Sequence, residues 1–150
     1  MMSAAGVHTI VVEQTNVTRY TALGETAGGF TITPDDGDRH FQSIQFPGVV
    51  QIAAVIFYRT RHTGLPRFSV RINSASVTEY TFKENDPPER CWHEVIPAST
   101  AGQPTLMAQN NELTFAVYPD DPNGTVTFGD VVIMYTSNET TIKVPLTLHP

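Results

Sequence analysis

Hydrophobic and polar residues alternate with a period of two along much of this chain. The alternation is clearest in segments 67–73 and 111–118, where every second side chain is apolar. Such a period is typical of β-strands with one face on a core and the other in water. Runs of β-branched and aromatic residues, bounded by Gly, Pro, Asn or Asp, recur about every 8–12 residues, as in sandwiches and barrels. The pattern predicts strands near 7–14, 17–23, 28–33, 40–46, 49–61, 67–73, 76–83, 91–96, 111–118, 125–136 and 141–148.

Helical periodicity is absent from the sequence pattern, and the prolines and glycines fall mostly between the predicted strands. Segment 97–110 is rich in Ala, Ser, Thr, Gly and Gln, which is typical of a long connection that crosses between sheets in a Greek key. We therefore expect an all-β fold, an antiparallel two-sheet β-sandwich of jelly-roll (Greek-key) type. Residues 1–150 form a single β-sandwich domain in this prediction, since no linker or internal repeat divides them.

Two segments, 49–58 and 131–135, differ from the alternating strands because they are apolar on both faces. That composition predicts central strands whose outer face is covered by a loop, another chain or a partner. The alternating strands, by contrast, have one consistent apolar face, which predicts the core. The predicted core residues are Phe68, Val70, Ile72, Leu113, Phe115, Val117, Val126, Phe128 and Val132.

The charge of the chain restricts the partners that it can bind. Lys and Arg number 9 and Asp and Glu number 15, which gives a net charge of −6. Such a chain has no basic field to neutralise a nucleic-acid backbone or to hold an anionic membrane. We expect no nucleic-acid partner. We also expect no membrane insertion, since no apolar run approaches the length of a membrane span.

The amino terminus has neither the basic segment nor the apolar stretch of a secretory signal. The localisation is therefore unknown, and a cytoplasmic product or an excised domain is the default expectation. The single cysteine, Cys91, excludes an intramolecular disulfide and a thiolate zinc cluster. Its expected role is that of a small buried hydrophobic residue.

Four segments of the second half carry a resemblance to a known family. They are 67–73, 92–97, 110–115 and 126–133, and in this order they resemble the galactose-binding-like jelly rolls, which include many carbohydrate-binding modules. The resemblance covers about half of the chain. It implies sugar or glycoconjugate binding rather than catalysis. It also directs attention to Asp130, which stands just ahead of an apolar run as an Asp does in the last strand of that family.

Asp130 is flanked by apolar residues on its own predicted strand face. Its carboxylate must therefore be hydrogen-bonded, bound to a metal or displaced by a bulge at Gly129. We favour a carboxylate that accepts backbone N–H groups. The alternative is a structural calcium site, for which the acidic turns 35–38 and 120–121 would supply further oxygens, since calcium takes about six to eight ligands. Neither acidic turn matches a dedicated calcium loop, and turn formation beside Gly and Pro is the favoured explanation of those residues.

Four of the nine cations lie on two consecutive predicted strands. Arg59 and Arg61 stand two residues apart on the first strand, and Arg67 and Arg71 stand four apart on the second, so each pair shares a face. If an even hairpin register puts both pairs on one surface, they are suited to bind carboxylate or sulfate groups of a ligand. In an odd register, or beside acidic neighbours, they form an ordinary solvated face.

Trp92 and Tyr58 are the aromatic candidates for stacking on a sugar ring, because such a ring presents an apolar C–H face beside a rim of hydroxyls. Trp92 begins a short strand after a turn. The residues on both faces of that strand are mixed, so the alternative of a tryptophan that seals one end of the core stays open and is favoured.

Enzyme motifs are absent from the sequence. The five histidines never stand at metal-ligand spacing such as His-x-His, and no nucleophile elbow, phosphate loop or dinucleotide fingerprint occurs. We therefore expect no enzyme and no cofactor apart from the structural calcium. Three functions remain, in this order: a non-catalytic domain that binds carbohydrate, a structural or assembly protein that forms a homo-oligomer, and an enzyme of unknown chemistry. The expected partner is a carbohydrate or another protein chain.

Overall fold

The computed structural model describes residues 10–143, and nearly all of their regular structure is β-strand. The strands are β1 (Val11–Ala22), β2 (Phe30–Ile32), β3 (Arg39–Ile44), β4 (Ala54–Thr63), β5 (Arg67–Ile72), β6 (Ala75–Thr81), β7 (Glu89–Ile96), β8 (Ser99–Thr100), β9 (Gln103–Pro104), β10 (Asn111–Tyr118) and β11 (Thr125–Lys143). A single turn of 3-10 helix, Gly24–Thr26, is the one helical element in this range. The all-β prediction is confirmed. Within residues 10–143, no helix has the length and apolarity that a membrane span requires.

Two antiparallel sheets pack face to face as a sandwich. The larger sheet has the order β1-β11-β4-β7, with β2 also paired to β11, and the smaller sheet has the order β3-β10-β5-β6. The connection from β7 to β10 contains the small β8-β9 hairpin and crosses from the larger to the smaller sheet, as predicted. This strand order is compatible with the predicted jelly roll of two Greek keys. The prediction of a two-sheet antiparallel sandwich is confirmed.

One continuous hydrophobic core fills the space between the two sheets. Phe115 of the smaller sheet and Phe128 of the larger sheet meet with ring centroids 4.7 Å apart. Burying such a side chain contributes about 1.5–3 kcal/mol to folding. The prediction is confirmed for the core residues Phe68, Val70, Ile72, Leu113, Phe115, Val117, Val126 and Phe128, all of which are buried.

The core prediction is wrong for Val132, which is half-buried on the outer side of the larger sheet. A β-bulge between Gly129 and Val132 shifts the register of β11 against β4. Inside the bulge, Asp130 has a left-handed φ of 52°. The irregularity shifts the alternation of faces by one residue, so that Val131, 1% exposed, points into the core instead of Val132.

β1 and β11 are longer than the sequence pattern predicts, because each joins two segments that the pattern separates. Their antiparallel ladder is unbroken along the whole of β1. Asn16 and Asn138, whose residue type usually marks a turn, are paired within the ladder, and Asn138 Nδ2 donates to Asn16 Oδ1 at 2.8 Å. Residues 7–9 and 144–148 of the predicted strands lie outside the described residues.

The two segments that are apolar on both faces, 49–58 and 131–135, lie largely in β4 and β11. These are the two central strands of the larger sheet, as predicted. β4 begins later than the pattern predicts, at Ala54. Before it, Val49 forms an isolated bridge with Ser137, and the backbone N–H of Val50 donates to the Thr136 carbonyl at 2.9 Å. This loop therefore follows β11 on the side away from β1.

Candidate functional site

Trp92 and Tyr58, the predicted stacking residues, lie in the core. Trp92 is 5% exposed and Tyr58 is 1% exposed, and their rings stack with centroids 5.9 Å apart. The Trp92 indole donates to Thr60 Oγ1 at 2.9 Å, and the Tyr58 hydroxyl donates to Thr78 Oγ1 at 2.6 Å. Burial raises the pKa of the Tyr58 hydroxyl, which keeps it a donor. Because both rings are enclosed by the sandwich, their predicted ligand-binding role is corrected to a structural one.

Arg90 closes the open side of the sandwich beside Trp92. Its guanidinium carbon lies 3.7 Å from the centroid of the Trp92 ring and 5.2 Å from that of Tyr80. A cation above an aromatic face contributes about 0.5–2 kcal/mol, depending on desolvation. Sequence reasoning missed Arg90, although its offset of two residues from Trp92 places both on one face of β7.

The four predicted arginines lie on opposite sides of the molecule. β4 belongs to the larger sheet and β5 to the smaller one, so the turn between them connects two sheets and does not form a hairpin. Arg59 and Arg61 face outward from the larger sheet, whereas Arg67 and Arg71 face outward from the smaller sheet. The structure therefore contradicts a single surface that carries all four cations.

Acidic neighbours pair with the two arginines of the larger sheet. Arg59 Nη1 lies 3.2 Å from Asp130 Oδ2, and Arg61 Nη1 lies 3.9 Å from Glu89 Oε1. Exposed pairs of this kind contribute about 0–1 kcal/mol. They form a solvated face, as the alternative interpretation of these arginines predicts.

The arginines of the smaller sheet are also engaged. Arg67 donates to Asp120 Oδ2 at 3.1 Å and to Glu79 Oε1 at 2.8 Å. Hydrogen bonding to Asp120, and then to Glu79, raises the pKa of the Arg67 guanidinium. Arg71 Nη2 donates to the Ser74 carbonyl at 3.4 Å. Both arginines are thus held by their own sheet and its connecting turns.

The bulge decides the environment of Asp130, the predicted calcium ligand. The bulge at Gly129, one of the predicted alternatives, displaces the Asp130 side chain, and its carboxylate is 48% exposed. The favoured prediction is wrong, because this carboxylate pairs with Arg59 and not with backbone N–H groups. Within residues 10–143, no group of three or more His, Cys, Asp or Glu side chains is placed to hold a metal ion. Asp36 accepts the backbone N–H of Thr33 and Asp121 accepts that of Leu65, both at 2.8 Å. The bond from Leu65 is the main cause that lowers the pKa of Asp121. Both act as turn formers.

A shallow cleft of about 450 Å³ opens beside the bulge, on the outer face of the larger sheet. Its floor includes Gly29, whose φ of 79° lets the backbone pass close to Thr127 and Phe128. Cys91 lines the cleft and is exposed, because odd-numbered residues of β7 face outward. The expectation of a buried cysteine is therefore wrong. The charged residues along the cleft whose side chains face outward are Arg59, Arg61, Glu89 and Asp130.

Beyond the cleft, the outer face of the larger sheet is apolar. Two consecutive rows of cross-strand neighbours run over its four strands in the order β1, β11, β4 and β7. The first row is Tyr20, Met134, Val55 and Val95, and the second is Ala22, Val132, Phe57 and His93. We call the first row together with Ala22, Val132 and Phe57 the apolar face. Tyr20 is 65% exposed, Val95 64% and Phe57 37%.

The outer face of the smaller sheet is polar by contrast. Gln42 Nε2 donates to Glu112 Oε2 at 2.9 Å, and the His40 ring nitrogen Nδ1 lies 3.1 Å from Thr114 Oγ1. The hydrogen bond from Gln42 lowers the pKa of Glu112. The smaller sheet thus presents satisfied polar groups to water, and the larger sheet presents hydrocarbon beside its charged cleft.

Sequence reasoning found the central half of the apolar face and missed its margins. Segments 49–58 and 131–135 were apolar on both sides, which predicted a covered outer face. Tyr20 and Val95 are isolated apolar residues in otherwise polar or mixed strands. Only the strand register shows that they extend the row across the whole sheet.

Comparisons with known proteins do not identify a family or a function for this chain. No family model matches the chain, and no curated protein matches it. One solved structure with detectable similarity is described as "Structure of infectious bursal disease virus Gx strain", with 13% sequence identity and a TM-score of 0.20. The match covers 91% of this chain but 43% of that one. A similarity at this level carries no argument about fold or function.

Proposed function

We propose that this chain is a non-catalytic structural domain that assembles into a homo-oligomer, with the apolar face as its main contact surface. The observation that carries the proposal is the continuous apolar row from Tyr20 to Val95 across all four strands of the larger sheet. Large exposed apolar patches are characteristic of interaction surfaces, because single domains otherwise keep such patches small.

The contrast between the two sheets supports the same conclusion. Both sheets have a buried inner face, so folding alone explains the inward apolar residues of each. Folding does not require an outward Val55, Phe57 or Met134, because the smaller sheet uses polar residues at equivalent outward positions. A contact with another copy would remove the remaining exposed area of these side chains from water, at about 25 cal/mol per Å² of apolar surface.

The fold itself does not choose between functions. Jelly rolls occur in capsid proteins, lectins and cupins, so the strand order is compatible with assembly, sugar binding and catalysis. The choice rests on the surface. A second copy of the same chain is the simplest occupant, since most soluble assemblies are symmetric homo-oligomers with self-complementary patches.

Substitution of Val95 by Lys tests this proposal. Val95 is exposed in the isolated domain, so Val95→Lys should change the free energy of unfolding by less than about 0.5 kcal/mol. In the assembly, the substitution places a charge in an apolar contact, and we expect the dissociation constant measured by sedimentation velocity to rise at least about tenfold.

Gln42→Lys is the matched control, because it adds the same charge to the outer face of the smaller sheet, where the lysine still reaches Glu112. It should leave self-association unchanged. Equal effects of the two variants, or no effect of Val95→Lys, would contradict the assignment of the apolar face.

Carbohydrate binding is a second candidate, supported by the cleft beside the bulge. Arg59 and Arg61 offer planar donors there, and Glu89 and Asp130 offer acceptors, which suits the hydroxyl rim of a sugar. With Trp92 in the core, such a ligand would bind through polar contacts. A glycan array with Arg61→Ala tests this candidate, and Arg71→Ala on the opposite sheet is its control. Binding that disappears only in Arg61→Ala supports it, whereas an array without binding by the intact protein rejects it.

A further inference from the structure

Among residues 10–143, no strand pairs with the outer edge of β1 in the larger sheet, and we call this the open edge. β1 is 12 residues long and contains neither proline nor lysine, and its ladder with β11 has no bulge. Natural sheets usually protect an edge with such residues, with bulges or with short strands. Residues 139–143 of β11 extend with β1 beyond the sandwich as a two-stranded ribbon, which in isolation is marginally stable in water.

The hydrogen bonds of β11 show which backbone groups of β1 are free. The Thr136 carbonyl accepts from Val50, and the Asn138 N–H donates to Gly48, so even-numbered residues of β11 point away from β1. Odd-numbered residues of β11 therefore bond to their odd-numbered partners in β1. The N–H and C=O groups that point to the open edge belong to the even-numbered residues of β1, namely Val12, Gln14, Asn16, Thr18, Tyr20 and Ala22. Among the described residues, no backbone bond from another element reaches these groups.

We propose that a second copy of this chain pairs with the open edge, β1 antiparallel to β1, with Asn16 opposite Asn16 of the second copy. This inference rests on the proposed homo-oligomer and specifies one of its contacts. A two-fold axis requires each contact to occur twice with the roles exchanged. Because the free N–H and C=O groups belong to even-numbered residues, even-numbered residues must face even-numbered residues of the second copy. The register centred on Asn16 meets this requirement. It forms about ten interchain hydrogen bonds from five facing pairs.

The charges of β1 select this register. With Asn16 at the centre, Glu13 faces Arg19 of the second copy in a non-hydrogen-bonded pair, where side chains approach closely. Within each copy, Glu13 already pairs with Lys143 at 3.0 Å, and Arg19 pairs with Glu139. The contact therefore creates a row of four charges with alternating sign.

The apolar residues of β1 support the same register. On the outer face, Val12 is 59% exposed and faces Tyr20 of the second copy, which is 65% exposed in the free chain. A shift of one allowed step places Glu13 opposite Val17 or Thr21 and loses the charge pairs. In the centred register the two larger sheets join into one sheet, and Tyr20 of each copy lies at the junction of the two apolar faces.

Disulfide trapping tests the register, in a background where Cys91 is replaced by Ser. Asn16→Cys places its thiol opposite its own symmetry mate, at a Cα separation of about 5.5 Å, which a disulfide spans. We expect mild oxidation to convert most of this variant to a covalent dimer. Thr18→Cys is the matched control, because its symmetry mates lie about 14 Å apart along the strand. It should cross-link only when mixed with Gln14→Cys.

Equal cross-linking of Asn16→Cys and Thr18→Cys, or no cross-linking of Asn16→Cys, would overturn the register. Asn16→Pro provides an independent readout, since proline on an edge position with an outward N–H leaves the monomer folded but blocks pairing. We expect this variant to weaken self-association at least about tenfold. A different outcome separates the two proposals. If the unmodified chain associates, Val95→Lys dissociates it, Asn16→Cys does not cross-link and Asn16→Pro associates as the unmodified chain does, the edge contact is wrong and the proposed homo-oligomer is retained. If the unmodified chain is a monomer, both proposals are wrong.

Discussion

Asn111 is the polar residue on which the packing at the start of β10 depends. It is fully buried, and its side chain makes four hydrogen bonds. Oδ1 accepts from Asn73 Nδ2 and from the Met107 backbone N–H, both at 2.9 Å. Nδ2 donates to the carbonyls of Ile44 at 2.9 Å and Met107 at 2.7 Å. One side chain thus ties the ends of β3 and β5 to the loop before β10.

Asn111→Ala should lower the free energy of unfolding by about 2–4 kcal/mol, because it leaves buried backbone and amide groups without partners. Urea denaturation measures this loss. The exposed turn residue Asn85 provides the control, and Asn85→Ala should change stability by less than about 0.5 kcal/mol. A loss as small for Asn111→Ala as for the control would mean that water replaces the missing bonds.

The sequence could not separate the two roles of Trp92. Its strand face also carries Arg90, Glu94 and Ile96, a mixture that suits either a rim or a core. The decision depends on β6 of the other sheet, because Tyr80 packs against the indole with ring centroids 5.2 Å apart. Arg90, on the same strand as Trp92, covers the indole with its guanidinium. Such contacts between sheets leave no periodic signal in a single strand.

At the scale of the elements, the alternation of apolar and polar residues correctly predicted where most strands lie. It failed to predict which residues face the core beyond the bulge in β11, where the inward positions shift by one residue. A bulge at Gly129 was one of three alternatives for the environment of Asp130, and the structure has a bulge there. The core face was nevertheless extended across it to Val132, although one irregular step exchanges the roles of Val131 and Val132. The position of a bulge is therefore easier to predict from sequence than the set of residues that face the core after it.

The connection between β4 and β5 shows a second limit of sequence prediction. Three residues, 64–66, separate the two strands, and a turn of this length fits a hairpin as well as a crossing between sheets. The outcome is set by pairing partners distant in sequence, β11 and β7 for β4, and β10 and β6 for β5. The predicted four-arginine surface failed for that reason, whereas the even offset within each arginine pair was correct.

At the scale of the whole molecule, the two outer faces of the sandwich differ in chemistry. The smaller sheet presents hydrogen-bonded polar side chains, and the larger sheet presents the apolar face and the open edge of β1. A net charge of −6 is modest for a chain of this size and does not oppose self-association strongly at physiological salt. In the proposed assembly, the smaller sheet faces solvent and the larger sheet forms the contact.

Sedimentation equilibrium of the unmodified chain, from about 1 to about 100 µM, tests the central claim most directly. The monomer has a mass of 16.5 kDa. We predict an average mass that rises with concentration toward about twice that value or more, as self-association with a dissociation constant within or below this concentration range requires. A mass that stays at 16.5 kDa across the whole range would contradict the assignment of this chain as an assembly domain.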